Sequence, residues 1–148
     1  MFSLRADAPL GYVIPLQEQV QHMVDMLSTR KAGQEGERRM YYVYMLRCRG
    51  GVFYTGLAVD VARRFRTHVA GKGAKFTRAC PPEEIAAVWR CGDKVTAARL
   101  EYAIKKHLSH QQKQGLAAAP ETLEELLPQA AGWGVTAENV EIFRQSAQ

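Results

Sequence analysis

The run Tyr41-Tyr42-Val43-Tyr44-Met45-Leu46-Arg47-Cys48, followed by Arg49-Gly50-Gly51 and then by Val52-Phe53-Tyr54-Thr55-Gly56-Leu57, decides the fold. Its first part is aromatic, β-branched and apolar at both alternating sets of positions, which suits a strand covered on both faces. The Arg-Gly-Gly step supplies a turn, and Val52 to Leu57 continues as a second strand, so the two read as a hairpin. Asp60 is placed to cap a helix from Val61 to about Ala70, which Gly71 ends. A basic loop follows, Gly71-Lys72-Gly73-Ala74-Lys75-Phe76-Thr77-Arg78, closed by Pro81 and Pro82. Ile85 to Cys91 has strand character, and Gly92 with Asp93 leads into a helix from about Lys94 to His110. The expected class is α+β, an α/β sandwich: a small three-stranded, mainly antiparallel sheet flanked by helices in the order β-β-α-β-α.

Outside this block the character of the chain changes. Upstream, Leu16, Val20, Met23, Val24 and Leu27 recur at helical spacing, so residues 15–30 are expected to form an amphipathic helix after Pro15. Lys31 to Arg39 is charged, contains Gly33 and Gly36, and reads as a linker. Met40 opens so different a segment that it reads equally as a natural start, with residues 1–39 a variable extension. Beyond Gly115 the chain is Ala-rich and acidic, with one helix expected over Glu121 to Leu127 and another over Ala137 to Phe143. With Trp133 between them, these read as a packed acidic appendage or a partner surface. The division is thus an N-terminal extension at 1–39, one central module at 40–116, and an acidic helical extension at 117–148.

A chain of 148 residues has room for one compact domain with short appendages, so a single module must hold the function. Hydrophobic residues make up 47% and charged residues 24%, the balance of a chain that folds rather than one that stays disordered. No apolar run reaches the roughly 18 to 20 residues that span a bilayer, and Met1 to Arg5 does not lead into a signal-peptide core. The expectation is a cytoplasmic protein with no membrane partner. Cys48, Cys80 and Cys91 form no CxxC pair and are odd in number, which writes neither a disulfide framework nor a cysteine zinc site.

Charge is unevenly spread. Residues 1–39 carry five Lys/Arg against five Asp/Glu, residues 40–116 fourteen against five, and residues 117–148 one against five. A surplus confined to the middle segment is what a phosphate-facing surface requires, and it equally describes a solvated basic face.

At about 100° per residue, Val61, Phe65 and Val69 form the core-facing stripe of the first module helix, and Arg64 and His68 border it. An arginine at the margin of a core needs an anion, either a domestic carboxylate or a phosphate. In the second helix Ala97, Leu100, Ile104 and Leu108 form the apolar stripe with Glu101 at its edge. Glu101 is placed to pair with Lys105 one turn on; it is also one of few carboxylates that a hard cation bound in the module would find. Tyr44 and Tyr54 lie on the two strands of the hairpin and are read as neighbours, though buried tyrosines commonly serve packing.

Taken in order, these positions resemble a known set. Tyr42-Val43-Tyr44, followed by Tyr54-Thr55-Gly56, looks like the paired signature of the GIY-YIG nucleases. Arg64, His68 and Glu101 fall where that family, in its structure-specific branch, has its arginine, histidine and metal-binding glutamate. The resemblance covers about residues 41 to 110 and is greatest to the short bacterial single-module members. Tyr42 stands in place of the name-giving glycine and Thr55 in place of isoleucine, while Gly56 is retained.

The resemblance implies a metal-dependent endonuclease acting on phosphodiester bonds in DNA, with RNA an alternative, and branched or damaged DNA in repair or recombination the natural substrate. Glu101 would bind one divalent cation, Mg²⁺ by preference. Arg64 would neutralise charge on the phosphoryl oxygens, Tyr44 orient or deprotonate the attacking water, His68 serve as relay or general base, and Tyr54 position phosphate or water. Lys72, Lys75 and Arg78 would contact flanking backbone, and Gly56 would allow close approach. Two other readings are a non-catalytic nucleic-acid-binding module and an adaptor subunit that meets a protein partner through its N-terminal helix or acidic tail.

Overall fold

The computed structural model describes residues 2–4, 13–15 and 39–148. Near the N-terminus, β1 (Phe2–Leu4) pairs antiparallel with β2 (Val13–Pro15). The amphipathic helix expected over 15–30 lies outside the described residues except for Pro15, which instead ends β2.

The expected hairpin is β3 (Tyr41–Cys48) and β4 (Phe53–Ala58), joined by a 3-10 turn at Arg49–Gly51. Gly50 and Gly51 have φ values of 85° and 79°, a region that disfavours any Cβ, so the two glycines let the chain reverse in so few residues. On its other side β3 pairs antiparallel with β5 (Pro82–Cys91). Val43, Tyr44, Met45 and Leu46 are all buried, as their two-faced apolar pattern requires of a central strand.

Period-two alternation then divides the core between two sides. Val43, Met45, Phe53 and Trp89 pack with Ala97, Leu100 and Ile104 of α3 (Lys94–His107). Tyr44, Leu46, Ile85 and Val88 pack with Val61 of α1 (Val61–Val69) and Phe76 of α2 (Lys75–Ala79). The caps that start the long helices are those the sequence offers. Asp60 Oδ1 accepts from Arg63 N at 3.0 Å and Asp93 Oδ1 from Thr96 N at 2.7 Å, each satisfying an orphan donor of a first turn.

Four features depart from expectation. The sheet has four strands, not three, because β6 (Thr136–Ala137) pairs antiparallel with β5 at Trp89 and Arg90, giving the order β4-β3-β5-β6. Two residues are too few to show any alternation, and tertiary pairing alone makes them a strand. The basic loop contains α2, whose Phe76 and Thr77 turn inward while Lys75 and Arg78 stay exposed. The helix expected to reach His110 ends at His107, and α4 (His110–Ala118) begins after Ser109, whose capping box with Gln112 restarts the helix. The C-terminal helices also shift. Pro120–Thr122 is a 3-10 turn before α5 (Leu123–Leu126), and α6 (Val140–Ala147) starts after the Asn139 cap.

The C-terminal segment is a fitted cover rather than a loose appendage. Leu116, Leu123, Leu127 and Ala130 share one core with Met45, Trp89 and Leu100, and Trp89 Nε1 donates to Pro120 O at 3.0 Å. On the opposite face, Phe143 meets Tyr42 edge-on at 5.5 Å. Arg144 Nε donates to Ile85 O at 3.0 Å while Nη2 reaches Glu84 at 3.1 Å. Arg66 of α1 donates to Ser146 O at 2.8 Å. The three cysteines are free and buried. No helix among the described residues is long and apolar enough to cross a membrane.

Because Leu127 is 1% exposed within the core of the sheet, Leu127→Ala should lower unfolding stability by about 2 to 5 kcal/mol in a single transition followed by denaturant. A main transition at the unaltered midpoint, with only a minor separate phase affected, would show the segment to be an independent appendage.

Candidate functional site

The site is assembled by register and helix period. Tyr44 lies directly opposite Gly56, and Leu46 opposite Tyr54, so Tyr44 and Tyr54 are diagonal neighbours on one face of the hairpin. Their rings stand 6.4 Å apart at 44°. From α1, His68 comes down onto the same face, 6.0 Å from the Tyr44 ring and 5.0 Å from that of Tyr54. Its Nε2 is 2.9 Å from Tyr44 Oη, a bond buried from solvent. One turn earlier, Arg64 is close enough to act on both groups by charge and to hydrogen-bond the Tyr44 hydroxyl.

Two glycines make this contact sterically feasible. A Cβ at Gly56 would come within 2.5 Å of Tyr44 Oη, and a Cβ at Gly73 within 2.1 Å of His68 Nδ1. Both lie far inside van der Waals contact, so any side chain would displace the tyrosine or the imidazole. The glycine retained in the second signature element thus holds open the space that the first tyrosine fills.

Glu101 enters from α3 and is 3% exposed. Its Oε2 is 3.0 Å from Lys105 Nζ, the pair expected from their spacing, and Lys105 Nζ in turn sits 5.6 Å from the centre of the Tyr54 ring. Ion pair and aromatic cluster are therefore contiguous, and the Glu101 charge is felt at Tyr44. Tyr44, Tyr54, Arg64, His68 and Glu101, drawn from four elements, are brought together. Lys72, Lys75 and Arg78 are exposed around α2.

Burial sets the protonation states. It is the main cause that pushes the Tyr44 hydroxyl well above its ordinary value of 10.0, with the charges of Tyr54 and Glu101 adding to it and Arg64 opposing. Burial again, helped by the Arg64 charge, lowers His68 from 6.5 to about 4. Both groups are consequently neutral near pH 7, joined by a buried hydrogen bond.

Two contributors went unread in the sequence. Thr77 Oγ1 lies 2.8 Å from His68 Nδ1 and donates to Ala74 O at 2.9 Å. Phe76 packs against Tyr54 at 5.8 Å. Both sit in the segment read as a basic loop. The only available signal was the apolar-polar pair Phe76-Thr77 between two cations, which one helical turn directs inward. A small cavity lined by Trp89, Pro120, Leu123 and Val135 lies in the C-terminal cover and shares no residue with this cluster.

For a cation, no group of three His, Cys, Asp or Glu side chains stands together among the described residues. Glu101 is a single-carboxylate donor. A Mg²⁺ ion fits such a donor where substrate phosphate and water complete its shell, and the Lys105 ammonium occupies the carboxylate in the meantime.

A scan against family models matches the GIY-YIG catalytic domain over residues 40–114. A UPF0213 protein of Halalkalibacterium halodurans is 46% identical over 76 residues, covering 51% of this chain and 80% of that one. One from Yersinia enterocolitica is 46% identical over 91 residues, covering 60% and 91%. Another from Xanthomonas axonopodis pv. citri is 38% identical over 88 residues, covering 60% and 86%. No solved structure matches the chain. With a catalytic-domain model spanning half of its length, over the very strands and helices that carry the tyrosine, arginine, histidine and glutamate cluster, the chain belongs to the GIY-YIG nuclease family.

Proposed function

We propose that the protein is a metal-dependent endonuclease that hydrolyses phosphodiester bonds in DNA, with branched or damaged DNA in repair or recombination as substrate and the cytoplasm as its place of action. The observation that carries this reading is the buried 2.9 Å bond between Tyr44 Oη and His68 Nε2, with Arg64 and Glu101 beside it. A packing tyrosine needs only one partner for its hydroxyl. Here the partner is a neutral histidine able to take the proton, and the pair faces a cation-rich border suited to phosphate.

The residues divide the work as follows. Arg64 holds the phosphoryl oxygens and neutralises charge as it develops. Tyr44 removes a proton from the attacking water while passing its own to His68 Nε2, and Tyr54 orients water or phosphate from the diagonal position. Glu101, released from Lys105, would hold Mg²⁺, which when bound supplies Lewis-acid charge at the phosphate and the leaving oxygen. The water oxygen bonds to phosphorus as the ester P–O bond breaks; the leaving oxygen takes a proton from solvent, and His68 then gives the stored proton up to solvent. Lys72, Lys75 and Arg78 attract the flanking backbone without reading sequence. Raised Tyr44 and lowered His68 keep the pair neutral at rest. An anionic phosphate beside the pair favours the imidazolium, so bound substrate eases the transfer.

The Glu101–Lys105 ion pair favours one alternative, a module that binds nucleic acid without turnover because its carboxylate is already committed. Cleavage of a panel of branched, flapped and linear DNA and of RNA, with Mg²⁺ or chelator, separates the two. We expect metal-dependent cleavage of DNA that falls by about 10²- to 10³-fold in Glu101→Ala and is kept in Lys105→Ala. Tight binding without cleavage under every condition would establish the alternative.

Burial also sets the acid limit. His68 is the acceptor only while unprotonated, so kcat/KM should hold from neutral pH down to about pH 5 and fall as pH drops through about 4. A fall centred at the ordinary histidine value of 6.5 would show that His68 is solvated and not part of this pair.

A further inference from the structure

Thr77 has one hydroxyl hydrogen and two acceptors within reach of it, Ala74 O at 2.9 Å and His68 Nδ1 at 2.8 Å. Oγ1 donates to Ala74 O at 2.9 Å, the three-residue back-bond common for threonine at the start of a helix. With that hydrogen on Ala74 O, Oγ1 offers His68 Nδ1 a lone pair, and Nδ1 carries the N–H. The other side of the ring agrees: Arg64, which can only donate, hydrogen-bonds the Tyr44 hydroxyl, so the tyrosine's own hydrogen is left for Nε2. A neutral imidazole has a single N–H, so in this tautomer Nε2 is bare and accepts from Tyr44 Oη at 2.9 Å.

We propose that Thr77 is a positioning residue that fixes the tautomer of His68 with the proton on Nδ1, and so sets the direction of proton transfer from Tyr44 to His68. The inference rests on the reading of Tyr44 and His68 as the proton path, and it names the group that makes the path run one way. In the other tautomer, which neutral histidine prefers in water, an Nε2–H would point at Tyr44 Oη. The tyrosine would then be an acceptor and its own proton would have no base to go to.

The lock is effective because nothing competes with it. His68 and Thr77 are each 1% exposed, so no water offers Nδ1 another partner. Gly73, where any Cβ would fall 2.1 Å from Nδ1, leaves the ring and the hydroxyl in direct contact. When His68 accepts the Tyr44 proton at Nε2, it becomes imidazolium with both nitrogens as donors, and Thr77 Oγ1 still accepts from Nδ1. Nothing on the Thr77 side has to reorient during the step. The proton that reaches Nε2 is the one Tyr44 loses, Tyr44 is replenished from the attacking water, and the imidazolium is discharged to solvent after the ester bond breaks.

The test is the nitrogen spectrum of the full chain labelled with ¹⁵N histidine, recorded near neutral pH without nucleic acid. The expected result is a pyrrole-type Nδ1 and a pyridine-type Nε2 for His68 in the wild type and in Thr77→Ser, and a shift toward the Nε2–H form in Thr77→Val. On whichever DNA the panel identifies, Thr77→Val should lose about 10²- to 10⁴-fold in kcat with KM little changed, and Thr77→Ser should restore most of it. An Nε2–H tautomer in the wild type overturns the proposal without recourse to any variant, as does a Thr77→Val protein that keeps both the Nδ1–H form and its rate. The expected spectra in a protein that cleaves no nucleic acid would leave the tautomer lock standing and overturn the nuclease reading instead.

Discussion

The site depends on one constraint: a tyrosine and a histidine from distant parts of the sequence must share a hydrogen bond that is buried from bulk solvent. Each partner alone would be penalised for burial. Together they satisfy each other, and the surroundings are shaped to keep them together. Gly56 is bare because the hydroxyl end of Tyr44 takes the space its side chain would need, and Gly73 is bare for the imidazole. The central strand supplies one partner and the helix that packs across it supplies the other, so the site is only as rigid as that packing. Tyr42, Phe143 and the Arg66–Ser146 contact stiffen this helix from behind, and in that sense the last element of the chain belongs to the site's foundation.

Electrostatically the cluster holds opposing demands in a small volume. Arg64 favours a phenolate at Tyr44 and disfavours an imidazolium at His68, while Glu101 disfavours the phenolate. The resting compromise is neutrality at both. Lys105 answers the Glu101 carboxylate and lies over the Tyr54 ring, which spares a buried charge from isolation. The arrangement resembles a charge-balanced blank, ready for a dianionic or metal-bearing guest to tip, more than a preset reactive state. Lys105 is therefore more than a rival explanation for Glu101: it lends that buried carboxylate a counter-charge before any guest arrives.

Much of this was legible in the amino-acid order. The strand from Tyr41 to Cys48 is apolar on both faces because it is central, and the Gly-Gly turn, the Asp60 and Asp93 caps and the helix-edge placement of Arg64, His68 and Glu101 all follow from local rules. What escaped was set by tertiary contact. Thr136 and Ala137 are a strand only because Trp89 and Arg90 present an edge to them. Thr77 gained its place because a short helix without a capping side chain turned it toward His68. The apolar stripe that ends at Leu108 extends the expected helix to His110, whereas in the fold the Ser109–Gln112 capping box breaks it after His107 and starts a new one. Local signals gave the parts, and pairing across the sheet decided which parts met.

The two-residue strand Thr136–Ala137 has an effect out of proportion to its length. A sheet of three strands with a long outer member leaves a row of amides and carbonyls open along that margin, the template on which copies of a chain zip together into insoluble stacks. By occupying Trp89 and Arg90, and with the helix after it laid against the same strand, the C-terminal segment covers that margin, so the outer strands of the central sheet are Phe53–Ala58 and the two-residue Thr136–Ala137. The benefit is colloidal: the margin beside Trp89 and Arg90 is already paired and offers other copies of this cationic chain less of a template.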